Sequence, residues 1–275
     1  MTSAASPLDG LALAPHHAES IANATRAFED DPTCRALVLG GSIAHGFASP
    51  SSDIDVTIVV DTEEYERRRR DGVLHLTDFS ICTYEGGYLD GKYVDLDFLR
   101  RVAAEGSDPA RFAYQGARVL LSEVPDLDAV LASIARYPIE QKDERIDRFA
   151  AQAVAWSWYH REGARRDDAY VITLAVQKVV LFTCRIVLAA NEALYPFHKW
   201  MLRVTASATD RPADLMQRID ALLAEPSTER SGELCRRVFD HYGIDTEHLL
   251  EVWPTRFLED TELTWMSGHT PIDDW

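Results

Sequence analysis

The stretch Asp53-Ile54-Asp55-Val56-Thr57-Ile58-Val59-Val60 constrains the fold more than any other part of the chain. Read as a strand, its alternation places Ile54 and Val56 on one face and Asp53 and Asp55 on the other. Two carboxylates therefore converge at the start of an otherwise apolar strand. Like charges held together repel, and burying them is costly. Such a strand belongs in a sheet whose acidic face can receive cations.

The surrounding sequence supplies the rest of a mixed sheet. Residues 16–30 carry Ala18, Ile21 and Phe28 among polar positions, the pattern of a short amphipathic helix whose His16-His17 start is expected to be solvated. Ala36-Leu37-Val38-Leu39 is an apolar run ending at Gly40-Gly41, a buried strand entering a glycine turn. Residues 62–71 read as an exposed helix and residues 73–84 as a third strand. Asp90-Gly91 has hairpin-turn chemistry and precedes the strand-like KYVDLDFL. Helices over 98–105 and 108–116 and a strand over 117–122 complete this half. Beyond residue 138 the pattern turns helical. Segments 143–163 and 168–194 are long and free of internal proline, and 212–224, 230–242 and 246–252 read as shorter helices. The expected fold is therefore α/β (α+β): a small mixed β-sheet domain over residues 1–140, then a C-terminal helical bundle over 141–275, ending in a loose tail.

Three features share one chemistry. Gly40-Gly41-Ser42 follows a strand, and glycine lets backbone approach a phosphate closely. Asp53 and Asp55 come ten residues later, and Val94-Asp95-Leu96-Asp97-Phe98 repeats the acid spacing. Magnesium takes carboxylate and phosphate oxygens. Two such ions can clamp the attacking and leaving oxygens of a phosphoryl transfer. The natural task is to hold Mg²⁺ and a nucleoside triphosphate and to position a hydroxyl for in-line attack on the α-phosphate, in a cleft between the two domains.

GGSIAHGFASPSSDIDVTIVV resembles the signature of the polymerase-β-like nucleotidyltransferase superfamily, and VDLDFL is similar to its third-carboxylate strand. The resemblance covers roughly residues 34–100. The layout is also similar to the small antibiotic-modifying members, which adenylylate aminoglycosides or lincosamides and pair a catalytic domain with a helical bundle. The resemblance implies that Gly41 and Ser42 bind the β- and γ-phosphates, with Ser52 counted among the nucleotide-binding residues. It implies Asp53 and Asp55 as metal ligands, and Asp95 as the third ligand or the general base, with Asp97 as the alternative. The implied reaction moves a nucleoside monophosphate, AMP from ATP or its equivalent from another triphosphate, onto a hydroxyl of a small-molecule acceptor and releases pyrophosphate. Two Mg²⁺ ions are the implied cofactors.

Several residues keep two readings. Lys199, in Tyr195-Pro196-Phe197-His198-Lys199-Trp200, is either a cation for the triphosphate or part of an aromatic packing motif. Lys178 either faces the cleft or snorkels on the bundle surface. His45 is either a solvent-facing loop residue or a phosphate or base contact.

Charge narrows the partners. The net charge of −17 opposes general nucleic-acid binding and suits a basic acceptor such as an aminoglycoside. The basic run Arg67–Arg70 follows Glu63, Glu64 and Glu66, as in a salt-bridged helix. Cys34, Cys82, Cys184 and Cys235 are too dispersed for a zinc site or a disulfide framework. No run comparable to the roughly 20 apolar residues of a membrane span is expected. The N-terminal stretch has no basic residue ahead of its apolar run, so a cytoplasmic location is expected. The sequence sets no oligomeric state. Two further functional readings stand beside the enzyme: a non-catalytic or regulatory protein of toxin–antitoxin type, disfavoured by the full set of acids, and nucleotidyl transfer to tRNA or protein, of which the tRNA case calls for a basic surface.

Overall fold

The computed structural model describes residues 6–268, 270–273 and 275. In chain order its first elements are α1 (Pro15–Glu29), β1 (Cys34–Leu39), α2 (Gly41–Ala44), β2 (Ile54–Val60), α3 (Thr62–Asp71), β3 (His75–Asp78) and β4 (Leu89–Val94). They are followed by α4 (Leu96–Glu105), α5 (Asp108–Phe112), β5 (Arg118–Ser122) and α6 (Leu127–Ile134). The rest is helical: α7 (Lys142–Arg166), α8 (Ala169–Ala190), α9 (Met201–Ser207), α10 (Leu215–Ala224), α11 (Thr228–Tyr242), α12 (Thr246–Thr261) and α13 (Thr264–Ser267). Two compact units result. One comprises the chain up to Gly106 with Ala110–Arg136, the other Ser107–Pro109 with Tyr137–Trp275.

In the first unit the described residues form a five-stranded sheet of order β3-β4-β2-β1-β5. It is mixed, because β2 and β4 run parallel while the other neighbours are antiparallel. Alternation along the strands sorts the side chains into two layers. Leu37, Leu39, Ile54, Val56, Ile58 and Leu89 pack with Ile21, Ala24 and Phe28 of α1. On the opposite face Ala36, Val38, Val59 and Val94 pack with Leu99 and Val102 of α4 and Leu127, Leu131 and Ile134 of α6. Each fully buried Leu or Ile in these layers contributes about 1.5–3 kcal/mol of transfer free energy. The helix α3 carries the expected charge ladder, with Arg67 and Arg68 on Glu64 at 2.7 and 2.6 Å and Arg69 on Glu66 at 2.8 Å.

The structure departs from the sequence reading between residues 73 and 105. The strand expected over 73–84 is only β3, and the strand expected from Lys92 ends at Val94. Asp95 leaves the sheet and caps α4, its carboxylate accepting the Phe98 N–H at 2.8 Å. A short polar side chain that can satisfy a free helix N–H makes a cap cheaper than further strand. Asp90-Gly91 is not a turn. Both residues lie in β4, and a Cβ on Gly91 would come within 3.1 Å of Ile58 Cδ1 and 3.3 Å of Leu76 Cβ, so glycine here serves close packing. His17 is buried rather than solvated, and burial, then the adjacent His16, pushes its pKa down.

In the second unit α7 and α8 are the longest helices among the described residues. By length and composition α8 could cross a membrane, contrary to the expectation that no such run exists. In the structure 67% of its most apolar window is buried, as in a core helix. Asp108 is buried here between two guanidiniums, at 2.6 Å from Arg145 and 3.2 Å from Arg185. Its carboxylate also accepts the Tyr195 N–H at 3.3 Å. Arg185 lies 4.4 Å above the Phe149 and Tyr195 rings, and burial lowers its pKa to about 10.

Removing Asp108 leaves two buried cations without their acid. The Asp108→Ala variant should lose about 3–5 kcal/mol of stability in urea unfolding. A second expectation follows from His17, His45 and His160, whose pKa values burial holds below the ordinary 6.5. As pH falls through that value the unfolded chain takes up protons that the native state refuses, so stability is lost on acidification. The urea midpoint should therefore drop between pH 7 and pH 5, and unchanged midpoints would show these rings free to protonate in the fold.

Candidate active site

The parallel register of β2 and β4 sets Asp55 opposite Asp90, with Ile54 opposite Leu89 and Val59 opposite Val94. Asp55 and Asp90 therefore leave the sheet on the same face and at the same level. Asp53, just ahead of β2, joins them. One carboxylate oxygen from each of Asp53, Asp55 and Asp90 lies within 4.8 Å of the others. All three are partly exposed, so an ion could reach them.

Asp95 does not enter this group. It follows Val94, five residues past Asp90, which at about 3.3 Å per residue is roughly 16 Å along the strand direction. It is 4% exposed and occupied as the α4 cap. Asp97 lies in the first turn of α4, where its exposed carboxylate pairs with Arg100 at 3.2 Å. Among the described residues the third acid of the cluster is Asp90, not Asp95 or Asp97.

The turn after β1 closes on the acids. Gly40 N–H donates to the Asp55 carbonyl at 2.9 Å. Gly41 has φ +61°, and a Cβ there would lie 1.7 Å from Asp55 Oδ2. Only glycine permits both the left-handed backbone and this approach. Ser42 is buried, and its hydroxyl has no hydrogen-bond partner among the described residues. A buried polar group in that condition is paired with something not belonging to the fold itself, or carries a penalty of about 1–3 kcal/mol.

Around Asp53 the environment is phenolic. The Tyr88 hydroxyl hydrogen-bonds to Asp53, which raises the phenol's pKa. Tyr84 donates to the Ser52 carbonyl, while the Ser52 hydroxyl accepts the Ser49 N–H at 2.9 Å and closes that turn. His45 stacks on Phe112 at 4.3 Å, and burial lowers its pKa. Lys92 stands on the carboxylate face opposite Thr57, its Nζ 4.5 Å from the Tyr114 ring centroid.

The two lysines proposed from the helical half lie in the second unit. Lys178 forms an ion pair with Asp273 and lies 5.8 Å from the Trp156 ring. Lys199 is exposed, its Nζ 5.2 Å from the Trp200 ring.

Residues 24–149 match the family model described as a nucleotidyltransferase domain. Over that stretch the chain is similar to a nucleotidyltransferase domain. That match includes every strand, the glycine turn and all three clustered acids. A domain of that kind generally takes a nucleoside triphosphate and a divalent metal. Among solved structures, a nucleotidyltransferase-like protein from Exiguobacterium sibiricum 255-15 is similar at 10% identity and a TM-score of 0.47, covering 90% of this chain and 79% of that one. No curated protein matches the sequence.

Asp90 was missed because Asp-Gly is a strong turn signal and because strand register is a long-range property. The available hint was the apolar partner Leu89, which makes Leu89-Asp90 repeat the Ile54-Asp55 pair. The close approach at Gly41 yields a test. Gly41→Ala must displace the Asp55 carboxylate and also costs roughly 1–2 kcal/mol for the left-handed backbone. The variant should bind divalent ions at least tenfold more weakly in calorimetry, and wild-type binding would show that the turn does not position Asp55.

Proposed function

We propose that this protein is a magnesium-dependent nucleotidyltransferase that moves a nucleoside monophosphate, AMP from ATP, onto a hydroxyl of a small cationic acceptor. The observation that carries the reading is the convergence of Asp53, Asp55 and Asp90 from two neighbouring strands beside the Gly41 turn. Three hard oxygen donors within 4.8 Å of one another suit Mg²⁺ or Mn²⁺ and offer nothing to soft metals. The donor set therefore fits the divalent ions that such a domain implies.

Asp53, Asp55 and Asp90 would hold the ions. When bound, divalent ions neutralise the triphosphate and stabilise charge on the attacking and leaving oxygens. The protein's own groups do the positioning. Gly41 admits phosphate oxygens close to the backbone, and the orphan Ser42 hydroxyl is a donor available to the β- or γ-phosphate. The acceptor oxygen forms a bond to the α-phosphorus. The bond from that phosphorus to its bridging oxygen breaks, pyrophosphate leaves, and the acceptor's proton passes to a carboxylate oxygen of the acid set or to water. Positioning of this kind accounts for most of what an enzyme contributes to phosphoryl transfer.

The acceptor class rests on charge. A chain of net charge −17 attracts polycations and repels polyanions, which favours a basic, hydroxylated small molecule of aminoglycoside type over tRNA.

The test uses labelled ATP, Mg²⁺ and a panel of hydroxylated amines, followed by pyrophosphate release. Asp53→Asn, Asp55→Asn and Asp90→Asn should each lower turnover about a hundredfold or more, given the several kcal/mol that metal stabilisation supplies. Asp95→Ala should instead cost about 1 kcal/mol of stability as a lost cap and keep its turnover. Near-full turnover in the Asp53 or Asp55 variant would remove the metal assignment. Loss of turnover in a folded Asp95→Ala protein would return the third position to Asp95.

A further inference from the structure

We propose that His75 is a positioning residue for the carboxylate set, holding Asp90 in the orientation that lets it share an ion with Asp53 and Asp55. This inference rests on the metal-site reading above and extends it to a residue outside the acid set.

The sheet places the ring there. β3 is an edge strand, antiparallel to β4, with His75 opposite Lys92 and Thr77 opposite Asp90. Asp90 precedes Lys92 by two residues, so His75, Lys92 and Asp90 share one face of the sheet. His75 is the diagonal neighbour of Asp90, within reach of a long side chain across an antiparallel pair. Its Nε2 lies 2.7 Å from Asp90 Oδ1. Leu76 points the other way and packs against the core with Val56 and Ile58, which anchors the strand that presents the ring.

The contact answers a physical difficulty. Asp90 is the carboxylate that comes from a different strand, and its side chain is 37% exposed. Repulsion from Asp53 and Asp55 favours a rotamer turned out to solvent. A ring N–H on Oδ1 fixes that side chain and leaves Oδ2 to be directed elsewhere. Lys92, two residues further along the same strand face, is placed over the Tyr114 ring instead. Partners of ligating groups are worth about 10–100-fold in metal affinity. The His75–Asp90 pair is exposed, so the lower end applies. Exposed pairs contribute only about 0–1 kcal/mol to folding, so removing the ring leaves the fold intact.

Mn²⁺ titration of the whole chain without nucleotide, followed by electron paramagnetic resonance, tests this directly. His75→Ala should raise the Mn²⁺ Kd about tenfold. His75→Gln, which keeps an N–H donor, should restore most of the affinity. In turnover assays the Mg²⁺ concentration for half-maximal rate should rise in step in His75→Ala, while kcat at saturating Mg²⁺ stays near that of the wild type. If the wild type binds Mn²⁺, Asp90→Asn does not, and His75→Ala binds like the wild type, the positioning role is overturned and the metal site stands. Equal loss in His75→Gln and His75→Ala also overturns it, because the N–H would then be irrelevant. If the wild type binds no Mn²⁺, or Asp90→Asn binds as well as the wild type, the metal-site reading itself fails and this proposal with it.

Discussion

The parallel pairing of β2 with β4 is the constraint on which the rest of this site depends. It alone puts Asp55 beside Asp90, and through Asp53 it assembles three acids from two stretches of chain nearly thirty residues apart in the connection that separates the strands. A register shift by one residue would turn Asp90 to the opposite face, into the layer held by Ile21 and Phe28 of α1. The apolar partners enforce the observed choice. Ile54 and Leu89 are both fully buried, so the acids that follow each of them must emerge together.

Clustering three carboxylates opposes folding, and the protein surrounds them with groups that soften the repulsion. Tyr88 donates to Asp53, His75 contacts Asp90, and Asp55 is crowded by the glycine turn. None of these neighbours is a cation of fixed charge that would displace a metal. The arrangement keeps the acids close and partly exposed, so that they could hold a divalent ion. Beside the same turn the buried Ser42 hydroxyl has no hydrogen-bond partner among the described residues.

In the second unit the buried acid Asp108 sits in a bundle core that also encloses Gln152, His160 and Ser231. Asp108 gathers Arg145, Arg185 and the Tyr195 backbone. Such a network contributes little net free energy compared with apolar packing, but its partners are strongly interdependent. It ties the short segment Ser107–Pro109 to α7 and α8 within this unit, helices that a periodicity reading locates but cannot connect to a distant aspartate.

Local pattern was enough to read the mixed sheet followed by helices, the strand that carries Asp53 and Asp55, and the glycine turn at Gly41. These depend on alternation, helical spacing and backbone freedom, all of which act over a few residues. The same local logic failed at residues 90–97, where turn chemistry at Asp90-Gly91 and strand-like alternation at Asp95 and Asp97 both pointed the wrong way. Tertiary structure alone decided which third acid joins the pair and which histidine touches it. Register between non-adjacent strands is fixed by the burial of side chains far apart in sequence, and a capped helix competes with continued strand on terms set by what packs above it. Sequence therefore determined which acids and glycines were available, and the packing of the sheet determined which of them could meet.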